Sequence, residues 1–199
     1  MNAPFDAEKF KAVTREQWNK HAKGWNDHSV QIGNWLREST DAVLAMADVG
    51  PDARVLDVAA GAGDQTLDIA KRVGPAGSVL ATDLSPVILE FAKEKAQRAG
   101  FSNVETQVAD GENLKVTEAG FDVAICRLGL MFLPDPGKGL REMFRALKPG
   151  GRACTMVFST PDKNPCVAIL LSTAFKHAGL PRRAILINRA GCLASANPD

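Results

Sequence analysis

Apolar and polar positions change rhythm about fifty residues into the chain. Before that point the spacing is helical. Trp18, Ala22 and Trp25 recur at i, i+4 and i+7 and share one face, and Val43, Met46 and Ala47 share another. Gly50-Pro51 closes this segment. Short apolar runs then alternate with helical patterns. Val55-Leu56-Asp57-Val58-Ala59 reads as a buried strand, followed by a glycine turn and a helix over 65–73. Residues 78–83 form the second expected strand. Ser85-Pro86 opens a helix with serine at the N-cap and proline at the first helical position. Gly100 stops that helix. Residues 104–108 and 121–126 are the third and fourth strands. Leu140, Met143, Phe144 and Leu147 recur at helical spacing up to Pro149-Gly150-Gly151, and 152–158 is the fifth strand. A further helix is expected over 166–178.

Strands alternating with helices imply right-handed crossovers. The expected fold class is α/β: a doubly wound, mostly parallel sheet with helices on both faces. Three segments follow: an N-terminal helical segment (1–50), an α/β domain (51–160), and a helix with an atypical tail (161–199). In such a sheet ligands bind outside the carboxyl ends of the strands, so the residues just after each strand carry the functional question.

The first strand runs into Asp57-Val58-Ala59-Ala60-Gly61-Ala62-Gly63-Asp64. Its glycines permit a sharp turn and close backbone approach to a ligand, and the following helix presents free N–H groups. A small-residue strand-to-helix turn would look the same. A dinucleotide fingerprint would want a third glycine where Thr66 stands. Asp83 ends the second strand, where a carboxylate can accept both ribose hydroxyls of an adenosine. Ala109-Asp110-Gly111 follows the third, where Asp110 could accept an adenine amine. Each aspartate alone could be a loop or capping residue. Three successive strands ending in acidic or glycine-rich turns argue for a common purpose.

These motifs resemble those of class I S-adenosylmethionine-dependent methyltransferases. The resemblance runs over 55–63, 81–86, 108–114, 121–134 and 140–152, and covers about residues 15–160. Within that superfamily the chain is most similar to the ubiquinone/menaquinone-biosynthesis C-methyltransferases, small-molecule enzymes. Leu147-Lys148-Pro149-Gly150-Gly151-Arg152 and Asp122-Val123-Ala124-Ile125 leading into Cys126-Arg127 carry that likeness. The resemblance implies a Rossmann-like methyltransferase fold and S-adenosyl-L-methionine as cofactor. It also implies that Asp57 and the backbone of Ala59, Ala60, Gly61 and Gly63 hold the methionine end. By the same likeness Asp83 binds ribose, Leu84 packs beside adenine, Asp110 and Gly111 recognise adenine, and Cys126 offers its carbonyl with Arg127 nearby. Ala59 stands where the family usually has glycine, which alanine tolerates if φ stays negative. Cys126 stands where serine is common. The fold's final strands are expected to be missing. The tail beyond about residue 180 departs from family sequence and leaves no room for two strands and a helix. A frame shift in the coding sequence over 182–199 would account for this.

Composition narrows the partners. With 24 basic against 23 acidic side chains and a net charge of +1, nothing favours nucleic acid. No apolar run reaches membrane-spanning length, and the N-terminus lacks a signal-peptide pattern. Cys126, Cys154, Cys166 and Cys192 show no metal or disulfide spacing, and a cytoplasmic setting follows. His21, His28 and His177 show no ligand spacing, though His28 could lie near substrate. Trp18, Trp25 and Trp35 read as core packing or as a lid over the cofactor. Methyl transfer from a sulfonium needs alignment more than acid–base help, so the absence of a catalytic triad is unsurprising. The expected activity is methyl transfer to a small-molecule acceptor, with an exposed sheet edge allowing a homodimer. The alternatives are a non-catalytic S-adenosylmethionine-binding protein and a nicotinamide-dependent oxidoreductase.

Overall fold

The structure, a computed structural model, describes residues 5–160, 163–179, 185–187 and 193–195. Residues Met1–Met156 form one compact unit and Val157–Asp199 a second.

The first unit begins with α1 (Ala7–Asp27) and α2 (Ser29–Met46). There follow β1 (Arg54–Val58), α3 (Asp64–Val73), β2 (Ser78–Asp83), α4 (Pro86–Arg98) and β3 (Val104–Val108). The unit ends with β4 (Phe121–Arg127), a 3₁₀ turn (Leu130–Phe132), α5 (Pro136–Ala146) and β5 (Leu147–Met156). Local chemistry sets the helix starts. Asp6, Ser85 and Asp135 each accept a backbone N–H three residues on, and Pro86 and Pro136 stand in the first turns.

The five strands form one sheet in the order β3-β2-β1-β4-β5, and every neighbouring pair is parallel. Strand order reverses between β1 and β4, which opens a crevice at their carboxyl ends. Alternate residues of β1 feed opposite sides. Val55 packs with Ile69, Val73 and Leu44, whereas Leu56 packs with Phe121, Met143 and Ala146.

Several expectations need correction. α5 stops at Ala146, because Leu147 is extended and pairs with Phe121. β5 therefore starts earlier than expected and carries a register break, with Phe121 opposite Leu147 but Val123 opposite Arg152. Pro149-Gly150-Gly151 lies within that irregularity, Gly150 at φ +82. In α5 Met143 is buried, yet Phe144 is 79% exposed. In α2 Leu44 is buried and Met46 is outside.

The second unit holds α6 (Pro165–Ala178) and two short strands, β6 (Ile185–Ile187) and β7 (Leu193–Ser195). These pair antiparallel in a sheet of their own and, among the described residues, add no strand to the five-stranded sheet, whose final strands were expected to be missing. Among the described residues the large sheet ends at β5. The remaining tail positions on which the frame-shift reading bears lie outside the described residues.

Candidate functional site

The carboxyl end of β1 is fastened to α3 through Asp57. This fully buried carboxylate accepts Gln65 Nε2 at 2.8 Å and Thr66 Oγ1 at 2.7 Å. Burial pushes its pKa up to about 6, against the two hydrogen bonds and the charge of Arg127. Beyond it the chain turns through Ala59 at φ +56, Gly61 at φ +59 and Gly63 at φ +84. Alanine therefore sits in the left-handed region, and the condition of negative φ is not met. A strained residue is held there by its surroundings. Gly63 has a steric reason to be glycine, since a Cβ on it would lie 2.7 Å from that of Ala92 in α4.

The ends of β1 and β2 are joined directly. Gly61 N donates to Asp83 Oδ2 at 3.0 Å, and Ser85 N donates to Asp83 Oδ1 at 2.9 Å. Burial raises the Asp83 pKa, and these backbone donors oppose the rise. Leu84 follows, half-buried. After β3, Asp110 Oδ1 accepts Glu112 N at 2.9 Å, and a Cβ on Gly111 would meet Leu133 Cδ2 at 3.2 Å.

α1 lies across these strand ends. Lys11 Nζ donates to Asp110 Oδ2 at 2.7 Å and pairs with Glu112 Oε2 at 2.8 Å. Further along, Ser85 Oγ donates to Asn19 Oδ1 at 2.6 Å. Ala22 is fully buried with Ala62 and Ile88, and Trp18 and Trp25 pack against that cluster. Trp18 meets Trp25 and Phe132 edge-on, each at 5.5 Å between centroids. The Trp25 ring nitrogen lies 3.7 Å from where a Gly61 Cβ would be. One helix thus touches the ends of β1, β2 and β3. Trp35, on α2, is 56% exposed.

At the end of β4 the buried Cys126 thiol is pushed up to about 12, by burial first and then by the Asp57 charge, so it stays protonated. A Cβ on Gly129 would lie 2.4 Å from Ala59 Cβ and 2.7 Å from Cys126 Sγ, so these three positions pack together. Arg127 donates through Nη1 to Thr40 Oγ1 on α2 at 2.6 Å. Burial lowers its pKa, opposed by Asp57, Asp64 and Asp68. His28 joins α1 to α2, with Nδ1 2.8 Å from Gly24 O. Among the described residues no cluster of three or more His, Cys, Asp or Glu side chains could hold a metal ion. No described helix is long and apolar enough to cross a membrane.

Residues 24–182 match the ubiE/COQ5 methyltransferase family. The chain belongs to that family. The ubiquinone/menaquinone biosynthesis C-methyltransferase UbiE of Pasteurella multocida is 40% identical over 132 residues, which is 66% of this chain and 48% of that protein. The Proteus mirabilis UbiE is 35% identical over 158 residues, or 78% and 61% of the two chains. Among solved structures, a SAM-dependent methyltransferase from Aquifex aeolicus superposes with a TM-score of 0.57 at 25% identity, covering 68% of this chain and 78% of that one. Haemonchus contortus phosphoethanolamine N-methyltransferase 1, at 23% identity and a TM-score of 0.65, shares the fold; the match covers 77% of this chain and 33% of that one. The chain spans about half the length of several curated relatives it matches.

As a member of this family the chain has two kinds of feature that residue type alone could not disclose. One is the set of long-range partners, namely Lys11 and Glu112 at Asp110, Asn19 at Ser85, and Thr40 at Arg127. The acidic pair Asp110 and Glu112, two positions apart, was a usable signal, because a buried carboxylate beside a half-buried one calls for a cation. The other is Gln65, whose amide holds Asp57.

Proposed function

We propose that this protein binds S-adenosylmethionine across the carboxyl ends of β1, β2 and β3 and transfers its methyl group to a small-molecule acceptor. The observation that carries the reading is the Gly61 N to Asp83 Oδ2 bond beneath α1. It joins the glycine turn and the acidic strand end into one prearranged surface.

The residues suit the cofactor. Asp83 Oδ2 accepts Gly61 N and Oδ1 accepts Ser85 N, which leaves lone-pair capacity on the carboxylate for the ribose hydroxyls. Leu84 lies next to it for the adenine face. Asp110 likewise keeps acceptor capacity for the adenine amine beside Lys11, with Gly111 allowing the ring to approach. The turn of Ala59, Ala60, Gly61 and Gly63, braced by Asp57, would hold the methionine end with the Cys126 carbonyl, and Arg127 adds positive charge nearby. S-adenosylmethionine supplies a methyl group on a cationic sulfur, which is an excellent leaving group.

The chain's own task is then to orient and to exclude water. Trp18, Trp25 and Phe132 place apolar surface over the turn, and the protonated Cys126 thiol takes no part as a nucleophile. The names of the relatives favour a quinone-precursor ring carbon as acceptor. The buried free thiols of Cys126 and Cys154 suit a reducing, cytoplasmic setting. A homodimer is part of the same reading.

Calorimetry with S-adenosylhomocysteine and NAD, followed by labelled-methyl transfer to demethylated quinone precursors, tests this. Binding of the first ligand alone and label in the acceptor is the expected result. Failure to bind S-adenosylhomocysteine overturns the reading. Binding without transfer to any acceptor would favour a non-catalytic role.

A further inference from the structure

Gln65, the second residue of α3, is 2% exposed. Its Nε2 donates to Asp57 Oδ1, which settles the amide's orientation, because the reverse setting would press carbonyl oxygen against carboxylate. Oε1 is therefore an acceptor, and it has no hydrogen-bond partner among the described residues. A buried acceptor left unpaired is costly and uncommon. The basic groups around this end of α3 are engaged elsewhere. Lys95 donates to Asp64 and Ser29, and Arg127 to Thr40. The surroundings are otherwise acidic, with Asp57 bonded to the same amide and Asp64 adjacent in the chain. An unpaired acceptor among carboxylates suits a cationic donor.

We propose that Gln65 Oε1 accepts a hydrogen bond from the α-ammonium of the cofactor's methionine end. Gln65 is then a binding residue that ties ligand to scaffold. One end of its amide braces Asp57 and the other receives the ammonium. The inference rests on the S-adenosylmethionine reading above, since only that reading brings an ammonium to the glycine turn.

The test is a cycle of two ligands and two proteins. The ligands are S-adenosylhomocysteine and its deamino analogue, and the proteins are the unaltered chain and Gln65→Met, each read by calorimetry. The unaltered protein should prefer the amino form by about tenfold, the worth of a hydrogen bond to a charged group. Gln65→Met should abolish most of that preference, and the ratio of the two affinities within each protein is the readout, because the variant also removes a donor from Asp57. Where the variant does not fold, the side-chain carbonyl carbon resonance of Gln65 in the unaltered protein serves instead. It should shift with S-adenosylhomocysteine and stay still with the deamino analogue. Equal preference in both proteins, or a resonance indifferent to the amino group, overturns the proposal and leaves Oε1 to a buried water. Failure of S-adenosylhomocysteine to bind the unaltered protein would instead remove the cofactor reading, and this inference with it.

Discussion

Lys11→Met should loosen the helix that covers the site. The Lys11 ammonium lies 2.7 Å from Asp110 Oδ2, 2.8 Å from Glu112 Oε2 and 3.6 Å from Glu8 Oε1. The Glu112 side chain is 4% exposed and that of Asp110 30%. Removing the cation leaves both carboxylates without it, while Glu112 Oε1 still receives Asp135 N at 2.6 Å. Breaking a fully buried pair costs about 3–5 kcal/mol, whereas an exposed pair is worth about 0–1 kcal/mol. The mixed exposure here places the loss between those limits, at roughly 2 kcal/mol. In a chain of this size that lowers the melting temperature by about 4–8 °C. Burial alone would lower the Lys11 pKa, but the hydrogen bonds and charges of Asp110 and Glu112 outweigh it and raise the value above the usual 10.5. A raised lysine stabilises fully below its unfolded value and loses that effect only as pH climbs past the folded one. The lysine itself therefore stays charged at neutral pH, and its contribution fades only in strong alkali. Thermal melting and limited proteolysis within α1 are the assays. An unchanged melting point and unchanged cleavage in Lys11→Met would refute the reasoning and reduce the cluster to a solvated surface pair.

Three further outcomes are expected. Asp83→Ala should weaken S-adenosylhomocysteine binding by about 1–3 kcal/mol, since ribose loses a charged acceptor, and calorimetry with unchanged affinity would remove Asp83 from the site. Asp57, with its pKa raised from 3.8 to about 6, favours the fold most below its unfolded value and loses that effect as pH rises through the folded one. Asp57→Asn, neutral throughout, should therefore lose less stability than the parent between about pH 4 and about pH 7. Equal pH slopes in urea unfolding would contradict this. Ala59→Gly should raise the melting temperature by about 1–3 °C, because alanine in the left-handed region costs about 1–2 kcal/mol, partly offset by glycine's greater chain entropy. A lower melting point would show that packing of the methyl against Cys126 and Gly129 outweighs the strain.

The central strands β1 and β4 were legible because a strand buried on both faces reads as a short apolar run. β2 (Ser78–Asp83) and β3 (Val104–Val108) lie where the pattern put them, and β4 runs one residue further. Periodicity failed where a neighbour decided the outcome. Leu147 has helical spacing to Met143 and Phe144, but its backbone pairs with Phe121 and begins a strand. Phe144 shares a helical repeat with buried Met143 yet points outward, because a narrow stripe of α5 suffices to cover this side of the sheet. The φ of Ala59 was hidden as well. Residue identity favours negative φ, and only the closeness of Gly129 and Cys126 shows how tightly the turn is held.

The candidate site divides along the same line. Asp83 and the glycine turn were visible because their role depends on position just after a strand, which a local pattern encodes. Lys11 was not, although its sequence neighbourhood supplies a complete and misleading account: Glu8 three residues earlier makes an ordinary helical ion pair. The structure places that pair at 3.6 Å and gives Lys11 two shorter partners about a hundred residues away, at 2.7 and 2.8 Å. A carboxylate at helical spacing is a sufficient local partner for the charge, so the local pattern does not disclose the distant ones. The carboxylates gave the better clue. Glu112 is buried beside Asp110, and two such groups close together are tolerated only where a cation or a set of donors reaches them. Here the cation comes from α1, and the same contact that neutralises the acidic pair also sets the helix over the ends of the strands.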